Sequence, residues 1–198
     1  MINKFQNYET TQAYTDSEQL PRGGYICRIT GARIEETQYG QRVKIAFDID
    51  EGPYKGYYQN KYDANQNEDK KWPGVYSLGV PKDDGTEQDN WTKRRFKTFT
   101  NALEDSNSGY HFDWDETKFK GKRVGIVFNY REYEFNGKNG MTPNPAKVAT
   151  VEAIANNRYK IPDDKLLNGS KAAPAQSSAI DGFVNISNNK GVEEEIPF

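Results

Sequence analysis

The chain has 198 residues, which gives room for one domain and an appendage rather than for two full domains. Its residues are 34% hydrophobic and 13% aromatic, and its formal net charge is only −2, so the composition predicts a modest folded core diluted by polar segments rather than a wholly disordered chain. A single cysteine, Cys27, excludes a disulfide framework, and a single histidine, His111, excludes the usual zinc sites. We therefore expect no cofactor and no metal. No apolar run has membrane-spanning length and the start lacks the apolar stretch of a signal peptide, so we expect a soluble protein of the cytoplasm with no membrane partner.

The first half of the chain predicts three strands. Residues 1–19 are polar and are expected to form a loosely held N-terminal arm. A strand is predicted over 25–33, and the clearest one covers 42–49, where apolar and polar residues alternate. After the break at Gly52-Pro53, residues 54–62 resume an extended pattern and are predicted as the third strand.

The second half predicts one helix and two strands. In the segment 92–105, Phe96, Phe99 and Leu103 recur with helical spacing, which predicts an amphipathic helix. Its start could be capped by one of three residues, namely Asp89, Asn90 or Thr92. Strands are predicted over 123–135 and 147–155. The resulting order of three strands, a helix and two strands is that of an OB-fold, so we predict a mainly β domain over 20–161: an OB-fold-like five-stranded barrel with one helix between strands 3 and 4. Other small β-barrels with one helix share this order.

Beyond residue 161 the composition shifts to Ser, Ala, Asn, Gly and Pro, which predicts a disordered C-terminal tail over 162–198. This segment contains six acids and three bases, which leaves 24 bases and 23 acids in the first 161 residues. The predicted domain is therefore nearly neutral, and any affinity for nucleic acid must come from the arrangement of its charges.

The last six residues combine an acidic run with an apolar end: Glu193, Glu194, Glu195, Ile196, Pro197 and Phe198. Together with the low-complexity segment before it, this acidic tip resembles the C-terminal tip of bacterial and phage single-stranded DNA-binding proteins. The resemblance implies that the tip binds and recruits proteins of DNA replication, recombination or repair, and that it lies on the DNA groove when no partner is present. A physical basis exists, because a partner with an apolar pocket and a basic rim can hold the Phe198 ring and carboxylate, while Pro197 lowers the ordering cost.

The body departs from the bacterial members of this class. Its first strand begins only near Tyr25, and residues 63–90 form a long polar insertion. The body is more similar to divergent phage-encoded members, which would act in the cytoplasm of the bacterial host cell. The tetrameric assembly of the bacterial proteins is not expected to transfer, and a homodimer stays open.

Single-strand binding without sequence preference requires exposed rings and cations, and an OB barrel presents them on its second and third strands and the adjoining loops. The candidate DNA-binding residues are Arg28, Arg42, Lys44, Lys55, Tyr57, Tyr58, Lys61, Tyr62, Lys70, Lys71, Trp72, Arg131 and Tyr133. Trp72 is the favoured stacking residue because two lysines precede it. One of Tyr57 and Tyr58 must face the core, since adjacent strand residues point to opposite faces. Trp91 and Trp114 are expected to pack around the helix, and the helix bases Lys93, Arg94, Arg95 and Lys97 to form a solvated face.

Two other functions remain open from the sequence. A phage adaptor protein could recruit host replication factors through the tip without binding DNA, and the near-neutral body favours this reading. A magnesium-dependent nuclease could use the carboxylates Asp48, Asp50 and Glu51 or, more weakly, Asp63, Glu68 and Asp69. The alternation of strand 2 explains the first group better as a solvated strand end, so we expect no catalytic residues and no enzyme.

Overall fold

The computed structural model describes Gln6, Tyr8 and residues 19–167. Its strands are β1 (Gly23–Thr37), β2 (Gly40–Ile49), β3 (Val75–Gly79), β4 (Arg123–Phe135) and β5 (Lys138–Ala149). Its helices are α1 (Tyr57–Ala64), α2 (Glu87–Asp105) and α3 (Val151–Ala155), and a short 3₁₀ turn covers Glu116–Phe119. No helix among these residues is long and apolar enough to cross a lipid bilayer.

The five strands form one antiparallel sheet in the order β3-β2-β1-β4-β5. A mainly β fold with five strands and a helix, α2, between the third and fourth strands is therefore confirmed. The sheet is open, because β3 and β5 are its two edges and do not pair with each other. Helix α2 contacts both of these edge strands and β4, so it covers the core where the sheet does not close.

Side-chain alternation on β2 sets the inner face of the sheet. Its buried residues are the predicted ones: Val43, Ile45, Phe47 and Ile49. The largest fully buried side chains around them are aromatic, and Phe47 contacts Phe128 of β4 with ring centroids 6.1 Å apart. Predicted helix residues Phe96, Phe99 and Leu103 are also buried, as their spacing indicates.

A β-bulge changes the facing of β1 halfway along its length. Ile29 pairs with Phe47, but Gly31 pairs with the adjacent Ala46, so β1 has one extra residue at this point. Because successive strand residues point to opposite faces, one extra residue reverses the alternation. Residues 27 and 29 face the core, whereas 31, 33 and 35 lie beside the outward residues of β2.

The prediction of a strand over 54–62 is wrong, because this segment forms the turn before α1 and most of α1 itself. The carboxylate of Asp48, at the end of β2, accepts the backbone N–H groups of Tyr58 at 2.9 Å and Gln59 at 3.1 Å. These are donors in the first turn of the helix, which has no preceding carbonyls to satisfy them. The third strand is β3, which lies within residues 63–90, the stretch expected to be a polar insertion.

Helix α2 begins five residues before the predicted start at Thr92. Its N-cap is Thr86, whose hydroxyl accepts the N–H of Asp89 at 3.1 Å, so the three predicted capping residues are not the cap. Asp89 has a different role: its carboxylate accepts the N–H of Lys82 at 2.8 Å and thereby holds the preceding loop on the helix.

The prediction of a last strand over 147–155 is wrong in its bounds. Strand β5 starts at Lys138, directly after an Asn136-Gly137 turn in which both residues have positive φ angles of 51° and 71°. The chain leaves the strand after Ala149 and forms α3, capped by the Thr150 hydroxyl. Helix α3 lies close over the sheet because Gly125 of β4 leaves room for Ile154.

The two ends of the folded region are fastened together. The Arg22 guanidinium binds the Asp164 carboxylate at 2.9 and 2.5 Å, and the same carboxylate accepts the N–H of Tyr130 at 2.9 Å. Lys165 then pairs with Arg131 of β4 as a parallel bridge. Residues 163–167 thus contact β4, although a free linker was predicted from 162. The acidic tip, and nearly all of the predicted N-terminal arm, lie outside the described residues.

Candidate nucleic-acid interface

The outer face of the β1–β2–β3 part of the sheet contains a groove of about 710 Å³. We call it the sheet groove. Its lining residues are Gly31, Ala32, Arg33, Glu35, Lys44, Ala46, Lys71, Trp72 and Val75. Three of the predicted DNA-binding residues, Lys44, Lys71 and Trp72, are therefore brought together on one surface.

The floor of the sheet groove is formed by three residues in register that have small side chains or none. Gly31 of β1 pairs with Ala46 of β2, which pairs in turn with Val75 of β3. A row of small residues across three strands leaves a shallow, flat depression in the sheet surface. A planar group such as a nucleobase can therefore approach the backbone closely here.

The next two rows of the same face bear charged and polar groups. Arg33 pairs with Lys44, and the Lys44 ammonium lies 3.8 Å from the Glu35 carboxylate. Arg42 is one row further along β2 and donates from Nε to the Ser77 hydroxyl at 2.8 Å. With Lys71 included, the groove lining has three cations and one carboxylate, an excess of positive charge that the composition of the whole domain does not reveal.

Trp72 forms one wall of the groove and is fixed by its own hydrogen bonds. The indole Nε1–H donates to the carbonyls of Phe47 at 3.0 Å and Gly74 at 3.1 Å, while the ring remains half-buried. Its neighbour is Tyr62, with ring centroids 5.6 Å apart, and the Lys70 ammonium lies 4.5 Å from the Tyr62 centroid. Lys70, Tyr62 and Trp72 thus form a continuous cationic and aromatic border.

The tyrosines predicted on a third strand have other environments. Tyr58 is 6% exposed and packs edge-on against Phe47 at 5.3 Å, so it belongs to the core and cannot stack on a ligand, contrary to its inclusion among the candidates. Burial raises the pKa of its hydroxyl. Tyr57 is half-buried, and its hydroxyl accepts the N–H of Leu20 at 3.1 Å.

Five further candidates do not line the sheet groove. Lys55 is exposed in the turn before α1, and Lys61 lies over the Tyr57 ring at 5.0 Å. Arg131 and Tyr133 are exposed on the β4–β5 hairpin, on the other side of β1. Arg28 is engaged in the ion-pair network described next.

The first group of carboxylates considered for a magnesium site, Asp48, Asp50 and Glu51, is bound by protein groups. Asp50 accepts hydrogen bonds from the Arg28 guanidinium at 3.0 and 2.9 Å and forms an ion pair with Arg123, which also pairs with Glu51. The hydrogen bonds from Arg28 hold the pKa of Asp50 below its usual value. Asp48 caps α1, as described above. Within residues 19–167, no group of three His, Cys, Asp or Glu side chains is arranged to hold a metal ion.

Two tryptophans lie on or against α2. Trp91 is on the helix, 53% exposed, with the Arg95 guanidinium 4.8 Å from its ring. Trp114 is 81% exposed and stacks on Phe96, with ring centroids 6.2 Å apart and an interplanar angle of 12°. Among the helix bases, Lys93 is bound by Asp83 and Asp89, whereas Arg94 and Lys97 are exposed.

Arg33 lines the groove although it is not among the candidates predicted from the sequence. If β1 alternated without interruption from its buried residues Cys27 and Ile29, Arg33 would point to the core. The bulge places it outward, and Gly31 inside a strand pattern was the available signal for that bulge.

The sequence matches no protein-family model and no curated protein.

Proposed function

We propose that this protein binds single-stranded DNA without sequence preference in DNA replication, recombination or repair. The observation that supports this best is the sheet groove, in which the Trp72 ring and three cations line a surface that also contains a row of small residues. A base stacks on Trp72, while Arg33, Lys44 and Lys71 contact phosphates.

The topology supports an OB-like fold for the domain. An OB-fold is a five-stranded, partly open barrel that binds oligonucleotides on the face of its second and third strands. Here the groove lies on the face shared by β2, β3 and the second half of β1. The two unpaired edges, β3 and β5, both contact α2, so the helix occupies the gap of a barrel that is not fully closed.

The salt dependence of binding tests the proposal. Fluorescence anisotropy of a labelled oligo-dT measures the affinity at several salt concentrations, and log affinity falls by about 0.7 per log unit of salt for each phosphate neutralised. Lys44→Gln and Lys71→Gln should each reduce this slope by about 0.7. The matched control is Lys147→Gln, because Lys147 is exposed on β5, at the far edge of the sheet from β3. A wild-type protein that does not bind oligo-dT in dilute buffer overturns the proposal, and equal slopes in all variants overturn the assignment to the groove.

The tip at residues 193–198 is proposed to recruit replication or recombination proteins, on the strength of its resemblance to the tips of single-stranded DNA-binding proteins. A variant lacking Glu193–Phe198 should bind oligo-dT at least as tightly as the full chain and lose its partners in pull-down experiments. If the same partners are retained without the tip, recruitment through the tip is refuted.

A further inference from the structure

A second groove lies between α2 and the loops beside it, and it shares no lining residue with the sheet groove. It has a volume of about 470 Å³ and we call it the helix groove. Its lining residues are Val80, Pro81, Asp83, Lys93, Phe96, Lys97, Thr100, Phe112 and Trp114. Five of the nine are apolar, so this is a surface that gains from being covered.

Trp114 is the most exposed of the apolar residues that line the helix groove. Its ring is 81% exposed although it stacks on Phe96 and lies 5.3 Å from Phe112. The backbone of Trp114 has a φ of 69°, in the left-handed region that bulky residues rarely adopt. Together with the rings of Phe96 and Phe112, the exposed Trp114 forms an apolar platform at the surface.

The border of the helix groove on α2 is cationic. Lys93 and Lys97 are one turn apart and both line the groove, while Arg94 is exposed on the neighbouring side of the helix. Lys93 is already held by Asp83 at 2.5 Å and Asp89 at 3.1 Å. Lys97 is exposed and is therefore the cation best placed to meet an acidic ligand.

We propose that the helix groove binds the chain's own acidic tip, with Ile196, Pro197 and Phe198 on the Trp114 platform and the glutamates before them facing Lys97 and Arg94. The tip has the complementary chemistry, three acids followed by three apolar residues. This inference concerns a site separate from the sheet groove, and it does not require the protein to bind DNA.

The intervening chain is long enough for this contact. The described part ends at Leu167, whose N–H binds Glu132 of β4, and 25 residues, 168–192, precede the tip. A chain of 25 residues spans at most about 80–90 Å and, as a flexible coil, about 25–30 Å on average. A domain of this size is roughly 30–40 Å across, so the tip can reach any face of it. Tethering at that range corresponds to an effective concentration on the order of millimolar, which makes even a weak contact significant.

Fluorine NMR of the full chain labelled with 5-fluorotryptophan tests the proposal directly. The three tryptophans, Trp72, Trp91 and Trp114, give three resonances that single Trp→Phe variants assign. Phe198→Ala should move the Trp114 resonance and leave those of Trp72 and Trp91 in place. A movement of the Trp72 resonance instead means that the tip lies on the sheet groove, and no movement means that it contacts neither; both results overturn the proposal. So does a Trp114 shift that depends on protein concentration, because the tip would then come from a second copy.

A charge-swap experiment tests the ionic part without disturbing the core. A free peptide of residues 193–198 is titrated into the full-length Phe198→Ala protein and should restore the original Trp114 resonance. Lys97→Glu, at an exposed position, should weaken this peptide about two- to fivefold, as expected for loss of a surface ion pair. Replacing the three peptide glutamates by lysines should recover the affinity only with Lys97→Glu. Equal peptide affinity in all combinations refutes the role of Lys97.

Discussion

The role of Trp72 can be separated into a structural and a binding contribution by comparing two substitutions. Its indole N–H donates to two carbonyls, those of Phe47 and Gly74, and so joins β2 to the segment before β3. Trp72→Phe removes this hydrogen bond but retains an aromatic ring, at a cost of about 0.5–1.5 kcal/mol in unfolding free energy. Trp72→Ala removes both the hydrogen bond and the stacking surface.

The two variants should therefore differ in affinity for oligo-dT. Loss of one stacked base costs about 1–3 kcal/mol, which corresponds to roughly a 5- to 150-fold increase in Kd for Trp72→Ala. Trp72→Phe should weaken binding less than about fivefold, since a base still finds a ring. Anisotropy of labelled oligo-dT at low salt measures both values, and circular dichroism with urea unfolding verifies that each variant is folded at the assay temperature.

The matched control is Trp91→Ala, because Trp91 is exposed on α2 and does not line the sheet groove. Its affinity should remain that of the wild type. If folded Trp72→Ala protein binds oligo-dT as tightly as the wild type, base stacking on Trp72 is refuted. If Trp91→Ala weakens binding as much as Trp72→Ala, the DNA path is not confined to the sheet groove.

Three further predictions concern stability. Asp164→Asn should lower the unfolding free energy by about 1.5–3 kcal/mol in urea titrations at neutral pH, because it breaks the charged hydrogen bonds that fasten Arg22 to the end of the domain; an unchanged midpoint would contradict this. The hydrogen bond from Arg22 lowers the pKa of Asp164 in the folded state. The stabilisation is therefore complete above the unfolded pKa of about 3.9 and is lost as the pH falls through the folded pKa. Asp164→Asn should show a smaller loss of stability than the wild type between pH 5 and pH 2, and parallel pH profiles of the two proteins would refute this linkage. Gly125→Ala should destabilise the protein by about 1–3 kcal/mol in urea titrations, because an added Cβ would lie 2.4 Å from Ile154 Cγ1 and 2.9 Å from the Ala149 carbonyl. The matched control is Gly31→Ala, where a Cβ meets no atom within 4 Å and φ is not positive; equal destabilisation of both variants would contradict overpacking.

The spacing of apolar residues predicted those strands and helices that bury one regular stripe of side chains. Strand β2 and the apolar face of α2 show the expected phase, because each packs one regular stripe against the core. The β4–β5 hairpin was missed although Asn136-Gly137 is a strong two-residue turn signal, since β5 contains Pro143 and Pro145 and has little alternation. An edge strand tolerates such prolines, because one of its sides needs no hydrogen bonds.

The elements that could not be predicted depend on contacts from elsewhere in the chain. Residues 54–62 have the aromatic content of a strand, but the Asp48 carboxylate caps their backbone and turns them into a helix. A capping residue ten positions upstream leaves no local pattern. The facing of Arg33 likewise depends on the bulge at Gly31, whose position is set by pairing with β2. Both errors bear on the candidate site, because one put Tyr58 on the DNA-binding face and the other left Arg33 out.

A nearly neutral domain can still present a cationic surface if its acids are engaged elsewhere, and the described residues show where they are engaged. Four buried or half-buried carboxylates are bound by backbone N–H groups or by cations away from the sheet groove: Asp48, Asp50, Asp89 and Asp164. Within the groove lining, Glu35 is the one carboxylate among three cations. Salt screens exposed charges that are more than about one Debye length apart, roughly 8–10 Å at physiological salt. The electrostatic potential at a phosphate in the groove therefore depends mainly on nearby charges, and the net charge of the whole domain has little influence on it. Net charge therefore does not favour a protein-only adaptor over the proposed DNA-binding function. If the sheet groove is the binding surface, Glu35→Gln, which removes the single acid of its lining, should tighten oligo-dT binding in the same anisotropy assay.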